Sequence, residues 1–330
     1  MRLTFRFDMR QPDAGASRAA LYAAMLDMCA WGDDLGFDEV YLCEHHGAPD
    51  GYLPSPIVLG AAVAARTRRI RIHLTALVVT LHHPLRIAED LAVLDILSNG
   101  RLTVTAGMGY RPHEFAMMGV DMRHKLRIFL DTLEVLRNAW TGGPFEYEGR
   151  TVRVTPKPVQ PGGPPLLMGG SSAAAAERAA RMGFGFKPGF PPHYEIYREA
   201  LRRLGRPVPP PYPDQQPVFL HVTEDPERDW PVVGPHALYT ARSYAEWSTE
   251  RDGGTTLFSH AIRNLADARH HPMFQVVTPA QCADFARALG PDGELVFTPL
   301  IGGLDPGIAW RSLRLFEREV LPRLRADGLR

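Results

Sequence analysis

The sequence predicts an α/β fold: a parallel sheet whose strands are joined by crossover helices. Three observations predict it. Through the first third of the chain, short apolar runs rich in Val, Ile and Leu alternate with amphipathic runs of helical length. Gly, Pro, Ser and Asn punctuate the runs where helices start and stop. The run Val40–Cys43 then ends abruptly in Glu44, His45 and His46, as a buried barrel strand ends when it presents ionisable groups at its C-terminal edge. The even spacing of the units favours a barrel over an open sheet.

Taken in order, Leu3 to Phe7 reads as a strand, followed by a loop over 8–15. Ser17 is a candidate N-cap for a helix from about Arg18 to Leu35, and Gly36 ends it. After the Glu44-His45-His46 strand, Pro56 starts a helix reaching about Ala65. Ile70 to Val79 is a third strand. His82, His83 and Pro84 lead into a helix over Leu85–Leu97, which Ser98-Asn99-Gly100 stops. Arg101 to Thr105 is a fourth strand, ending in Gly107-Met108-Gly109-Tyr110. The rhythm then breaks, and 108–163 reads as an insertion with a long helix, His124–Trp140, and a hairpin within Phe145–Val154. Leu166–Met168 restarts the pattern, with Gly169-Gly170-Ser171-Ser172 opening an Ala-rich helix. Glu195–Leu204 is a helix and Val218–Thr223 a strand. The stretch 224–278 is expected to be an insertion acting as a lid, with helix near 236–251 and 259–268. Pro279–Leu289, Glu294–Ile301 and Ile308–Leu324 close the chain as helix, strand and helix. The whole reads as one barrel domain over 1–330.

The 330 residues are 45% hydrophobic and 22% charged, with 37 basic balancing 37 acidic side chains. That balance, with no basic stripe, excludes nucleic acid or an anionic membrane as a charge-driven partner. Cys29, Cys43 and Cys282 are odd in number and far apart, which argues for a reducing compartment and against a disulfide framework or a Cys-based zinc site. No apolar stretch reaches the ~18 residues of a membrane span and no signal peptide is evident, so a cytoplasmic protein is expected.

Four stretches carry groups capable of chemistry. Successive residues on a strand point to opposite faces, so Glu44, His45 and His46 cannot all ligate one metal from regular strand geometry, and no metal is expected. One imidazole held by a carboxylate at a barrel mouth can serve as general acid or base near neutral pH. The alternative is that both histidines cap the strand. His82-His83 follows another strand and faces the same mouth, or is a loop restrained by Pro84. Gly169-Gly170-Ser171-Ser172 combines close backbone approach, hydroxyls and a helix N-terminus, the ingredients of a phosphate site, or is a strand-to-helix turn capped by Ser172. Gly107-Met108-Gly109 would let something flat lie on the barrel top with Tyr110 stacked on it, or Tyr110 is core. Phe115, Met117 and Met118 are candidate pocket lining.

Together, these pieces resemble the bacterial luciferase-like flavin monooxygenase family. The resemblance is carried by Leu35-Gly36-Phe37-Asp38-Glu39-Val40 into Glu44-His45-His46, by Val78 through His83-Pro84 into Glu89-Asp90, and by Leu97-Ser98-Asn99-Gly100-Arg101. Further on it rests on Pro164 through Ser171 with Arg178-Ala179-Ala180, and on Phe316 through Pro322. It implies a (β/α)8 TIM barrel with insertions, using reduced FMN and O2 on a small, largely apolar organic substrate through a C4a-peroxyflavin. His45 would be the catalytic acid/base, oriented by Glu44, with His83 beside it. Thr75, Ala76, Met108 and Tyr110 would border the flavin ring, Thr75–Ala76 as a non-proline cis peptide, and Gly170, Ser171 and Ser172 the phosphate. A homodimer and a separate flavin reductase are implied partners. Met108 stands where luciferases have an arginine near the phosphate, and Ala175 where they have a threonine, so the phosphate charge must be met elsewhere. The same barrel serves relatives that use a deazaflavin for hydride transfer, and a non-catalytic flavin-binding subunit is a third reading.

Overall fold

The computed structural model describes residues 1–212, 219–250 and 262–330. Residues 251–261 of the expected lid, the start of its second helix and residues 213–218 lie outside the described residues. The chain runs β1 (Arg2–Phe7), α1 (Arg18–Leu35), β2 (Glu39–Leu42), α2 (Pro56–Arg66), β3 (Arg71–Val78), α3 (Pro84–Ser98) and β4 (Leu102–Gly107). The short α4 (Pro112–Met117), the long α5 (Lys125–Ala139) and the hairpin β5 (Phe145–Tyr147) and β6 (Arg150–Val152) interrupt the alternation. It resumes with β7 (Leu166–Gly170), α6 (Ala173–Met182), β8 (Gly185–Pro188), α7 (His193–Arg203) and β9 (Phe219–Val222). Then come α8 (Pro226–Thr249), α9 (Leu265–His270), β10 (Phe274–Val277), α10 (Pro279–Leu289), β11 (Glu294–Phe297), α11 (Pro306–Leu315) and α12 (Leu321–Ala326).

Seven strands form one parallel sheet in the order β11-β1-β2-β3-β4-β7-β8. The first strand is thus seated between the second and the last, which curls the sheet into an α/β barrel wall. β9 pairs in parallel with β10 and packs beside β11. Local chemistry explains the element ends. Ser17 accepts from the Ala20 N–H and caps α1, while Gly36 at φ 89° closes it. Asn99 takes the left-handed C-cap of α3. The hairpin turns through Glu148 and Gly149, both at positive φ, as a tight two-residue loop requires.

The layer between the sheet and its helices is filled by aromatic packing. Phe5 stacks on Phe37 with centroids 4.3 Å apart, and Phe297 meets Phe316 edge-on at 4.9 Å. A Cβ at Gly32 would come within 2.4 Å of the Phe5 ring, so glycine lets α1 lie directly on this layer. Asp33 accepts from the N–H groups of Arg68, Arg69 and Ile70 at 2.9, 2.7 and 2.6 Å. These three charge-assisted bonds fix the turn into β3 and hold the Asp33 carboxyl below its ordinary value against the opposing effect of burial.

The largest difference from the sequence expectation is α8. It begins at Pro226 rather than near His236 and contains Pro231 and Pro235. Asp225 caps it by accepting from the Arg228 N–H, with Pro226 in the first turn where no N–H is needed. Its apolar face (Trp230, Val233, Ala237, Ala241) packs in a second cluster with Phe274 and Ile301. That burial outweighs the interior prolines. The strands β8 and β10 and the short helix α4 were not expected from the sequence. No helix among the described residues is long and apolar enough to cross a membrane.

Candidate functional site

The C-terminal ends of β1–β4, β7 and β8 open onto one cavity of about 710 Å³, which α8 also borders through Tyr244. Parallel pairing in register puts these ends side by side, so groups far apart in sequence meet here. Of the catalytic and cofactor-binding residues expected, all but His83 line this cavity: Glu44, His45, Thr75, Ala76, Met108, Tyr110, Gly170, Ser171 and Ser172.

The carboxylate that holds His45 is not Glu44. Residues 44 and 45 leave the strand in opposite directions, and His45 Nδ1 donates to Glu114 Oε1 at 2.7 Å. The same oxygen accepts the His46 backbone N–H at 3.0 Å. Glu114 lies in α4, beyond the reach of any local pattern. Arg111 Nη1 stands 3.8 Å from it. His45 Nε2 has no hydrogen-bond partner among the described residues, and the ring is boxed by Tyr52, Tyr110 and Trp247 at centroid distances of 4.8, 5.6 and 4.7 Å. Burial lowers the His45 pKa, and the Glu114 carboxylate offsets this only in part, so the imidazole is neutral at pH 7 with its proton on Nδ1.

Glu44 has a different task. Its Oε1 accepts from His46 Nε2 at 2.8 Å and from His82 Nε2 at 2.7 Å, while Oε2 accepts the Val78 N–H at the end of β3. The histidine recruited from the second pair is therefore His82. His83 caps α3 and turns toward Tyr147, with ring centroids 6.1 Å apart. Glu44, His46 and His82 have the donor set of a metal site, their ligand atoms lying within 4.8 Å of one another, and all three are already paired in hydrogen bonds. Burial would raise the Glu44 carboxyl, but its bonds to His46, His82 and Val78 bring it down to about 2 from 4.5. His46 is correspondingly held above its ordinary 6.5, burial being outweighed by Glu44. The contact is thus at full strength between pH ~4.5 and ~6.5. It is lost as pH falls from 4.5 toward 2, and weakens as pH rises past the His46 value. Glu44→Gln is expected to flatten the acid limb of stability, which for Glu44 spans ~3 kcal/mol. Urea unfolding midpoints between pH 5 and pH 2 measure this; parallel curves for the two proteins would refute it.

A flat shelf lies beside this network. The Thr75–Ala76 peptide is cis, and the pairing of β3 with β4 shifts register between Thr75 and Leu77. A Cβ at Gly107 would stand 2.9 Å from Ala76 Cβ, so only glycine leaves the shelf clear. At the next strand end Ser172 caps α6, its side chain accepting from the Ala175 N–H, and Ser171 faces the cavity. Gly170 is obligatory, because a Cβ there would come 2.4 Å from Ala175 Cβ. One turn and a half into α6, Arg178 also lines the cavity, with no hydrogen bond or ion pair to any described residue. It places a cation in the cavity, which Met108 does not.

On the opposite side the cavity holds groups that the sequence reading passed over. Arg6 of β1 lines it and donates from Nη2 to the Tyr244 hydroxyl at 3.2 Å. Lys187 of β8 reaches across to the Tyr41 hydroxyl at 3.1 Å. The signal for both was present: a charged side chain in an otherwise apolar strand points at a polar interior. Phe115 is buried elsewhere, and Met117 and Met118 are exposed; none of the three lines the cavity. α8 is tied down over the site. Arg111 donates to both oxygens of Glu250 at 3.1 and 3.2 Å, and the Arg111 and Arg10 guanidiniums lie 4.1 and 4.4 Å from the Trp247 ring.

A family model described as luciferase-like monooxygenase matches residues 3–289. The 4-hydroxyprotoasukamycin monooxygenase of Streptomyces nodosus subsp. asukaensis is 34% identical over 117 residues, covering 36% of this chain and 32% of that protein. The chain spans 42%, 32% and 49% of the length of the first curated relatives it matches. The crystal structure of monooxygenase RslO1 from Streptomyces bottropensis superposes with a TM-score of 0.74 at 25% identity, covering 98% of this chain and 99% of that one. The same fold is seen in the oxygenating constituent of 3,6-diketocamphane monooxygenase from Pseudomonas putida, a type II Baeyer–Villiger monooxygenase in complex with FMN, at TM-score 0.74, 18% identity and 98% coverage of both chains.

Proposed function

We propose that this chain, which belongs to the luciferase-like monooxygenase family, is the oxygenase component of a two-component FMN-dependent monooxygenase acting on a small organic substrate. The observation that carries the reading is the single cavity joining a buried, carboxylate-held His45 to a flat shelf and a phosphate-suited helix start. The residues fit FMN. Thr75, Ala76 and Gly107 would border the ring, with Tyr110 across from them. Gly170, Ser171 and Ser172 would offer backbone N–H groups and a hydroxyl to the phosphate, with the unpaired Arg178 as its counter-charge. Glycine at 107 and 170 is what those close approaches require.

Reduced FMN supplies the activation of O2 when bound. The chain's own part is to place substrate, exclude water and move a proton. His45 Nε2 is the proton acceptor in the cavity, its orientation set by Nδ1–H to Glu114. Glu44 fixes the floor beneath it by holding His46, His82 and the end of β3. Tyr244 and Trp247 of α8 cover the mouth and keep it dry, so that α8 acts as the lid. Anaerobic titration tests the proposal. Reduced FMN is expected to bind, and on admission of air the bound FMN should reoxidise more slowly than free reduced FMN. Binding of a reduced deazaflavin with no binding of reduced FMN would move the protein to hydride transfer. FMN binding with no protection and no turnover would make it a flavin-binding subunit.

A further inference from the structure

Two cations line the cavity without a direct ion pair, Asp8 acting on Arg6 and Glu39 on Lys187 only at longer range. Among the described residues Arg6 and Lys187 make no ion pair, and their hydrogen-bond acceptors there are the Tyr244 and Tyr41 hydroxyls. They converge on one place. Tyr41 is the in-register neighbour of Arg6 across the β1–β2 ladder, and Lys187 Nζ both donates to its hydroxyl and lies 4.6 Å from its ring centroid. The carboxylates nearby are committed elsewhere. Asp8 is taken by Arg10, through the Arg10 N–H at 3.2 Å and Nε at 3.5 Å. Glu294 accepts from Arg2, Thr4 and the Tyr41 hydroxyl at 3.1, 2.6 and 2.7 Å. Glu39 is paired with His73 at 3.1 Å. Of the carboxylates lining the cavity, Glu44 is shared by His46 and His82, and Glu114 holds His45.

A buried cation is costly unless it is paired. A half-buried arginine and lysine lining the same hollow are therefore suited to receive an anion that the described residues do not provide. The phosphate-suited turn at Gly170–Ser172 already has its own cation in Arg178. We propose that the substrate carries a carboxylate, received by Arg6 and Lys187 beside Tyr41, with its body against Tyr52 and Tyr244. The substrate is then an amphipathic acid rather than the largely apolar compound the sequence suggested. The proposal rests on the monooxygenase reading only in calling the bound acid a substrate.

Calorimetric titration of the full-length protein loaded with FMN tests it, with benzoate and its uncharged isostere benzamide as probes. Benzoate is expected to bind at least tenfold more tightly than benzamide, a difference of ~1.4 kcal/mol. Arg6→Gln and Lys187→Met should each bring the ratio close to one, and Arg6→Lys should keep it. FMN affinity should change less than about twofold in all three, since Arg6 and Lys187 bond to Tyr244 and Tyr41 and the phosphate turn has Arg178 as its own cation. Equal binding of the two probes by the native protein would overturn the proposal. So would variants that weaken FMN in step with benzoate, which would assign the cations to the flavin. Should FMN fail to bind the native protein while benzoate keeps its Arg6-dependent preference, the cofactor reading falls and the anion site stands.

Discussion

His45→Ala is expected to lower kcat by about 10²–10⁴, the span that a positioned acid–base group contributes, for whichever substrate the native protein oxygenates. The fold should survive, because His45 lines the cavity and is not among the residues of the hydrophobic core. FMN affinity should be retained, since the phosphate turn lies at a different strand end. The companion variant Glu114→Gln separates chemistry from packing. It preserves the shape and can still accept from His45 Nδ1 and the His46 N–H, but it removes the charge that offsets burial at His45. The His45 pKa must then fall further below 6.5. With neutral His45 as the active form, the acidic limb of kcat/KM against pH should move to lower pH in Glu114→Gln and disappear in His45→Ala. An unchanged profile in both would remove His45 from the proton path.

Arg178→Ala is expected to weaken FMN binding about tenfold to a hundredfold, the loss of one charge-assisted contact of ~1.5–3 kcal/mol, and to leave riboflavin binding unchanged. Riboflavin lacks the phosphate but keeps the ring, so the pair of ligands isolates the charge. The side chain has no ion-pair partner among the described residues, and burial, with Arg181 nearby, lowers its pKa. If riboflavin weakens as much as FMN, Arg178 shapes α6 instead of meeting the phosphate. Fluorescence titration of the two flavins decides between these.

Much of the fold was legible because its signals are local. Ser17 and Gly36 bound α1, Pro56 opens α2, Asn99 closes α3, and the helix Pro279–Leu289 begins and ends where its caps say. A cap is a contact between residues three or four apart, and sequence order preserves it. The extent of α8 was not legible, because Pro231 and Pro235 argue locally for a break. The helix persists through the burial of its apolar face against β10 and the loop after β11, a tertiary term that no window of sequence contains.

The site divides along the same line. By itself the sequence determined which strand ends carry imidazoles, where glycine clears a shelf, and where a helix start can meet a phosphate. It did so because residue type and strand position are both read along the chain. Only the tertiary structure decided the partners. It gave His45 to Glu114, 69 positions away. It gave Glu44 to His46 and His82, and it turned His83 outward. It also brought Arg6 of β1 and Lys187 of β8 into one cavity, one on Tyr244 and the other on Tyr41. Hydrogen bonds and charge pairs act through space over a few ångströms, and in a barrel those few ångströms are set by how the strands close, which separation along the chain does not encode.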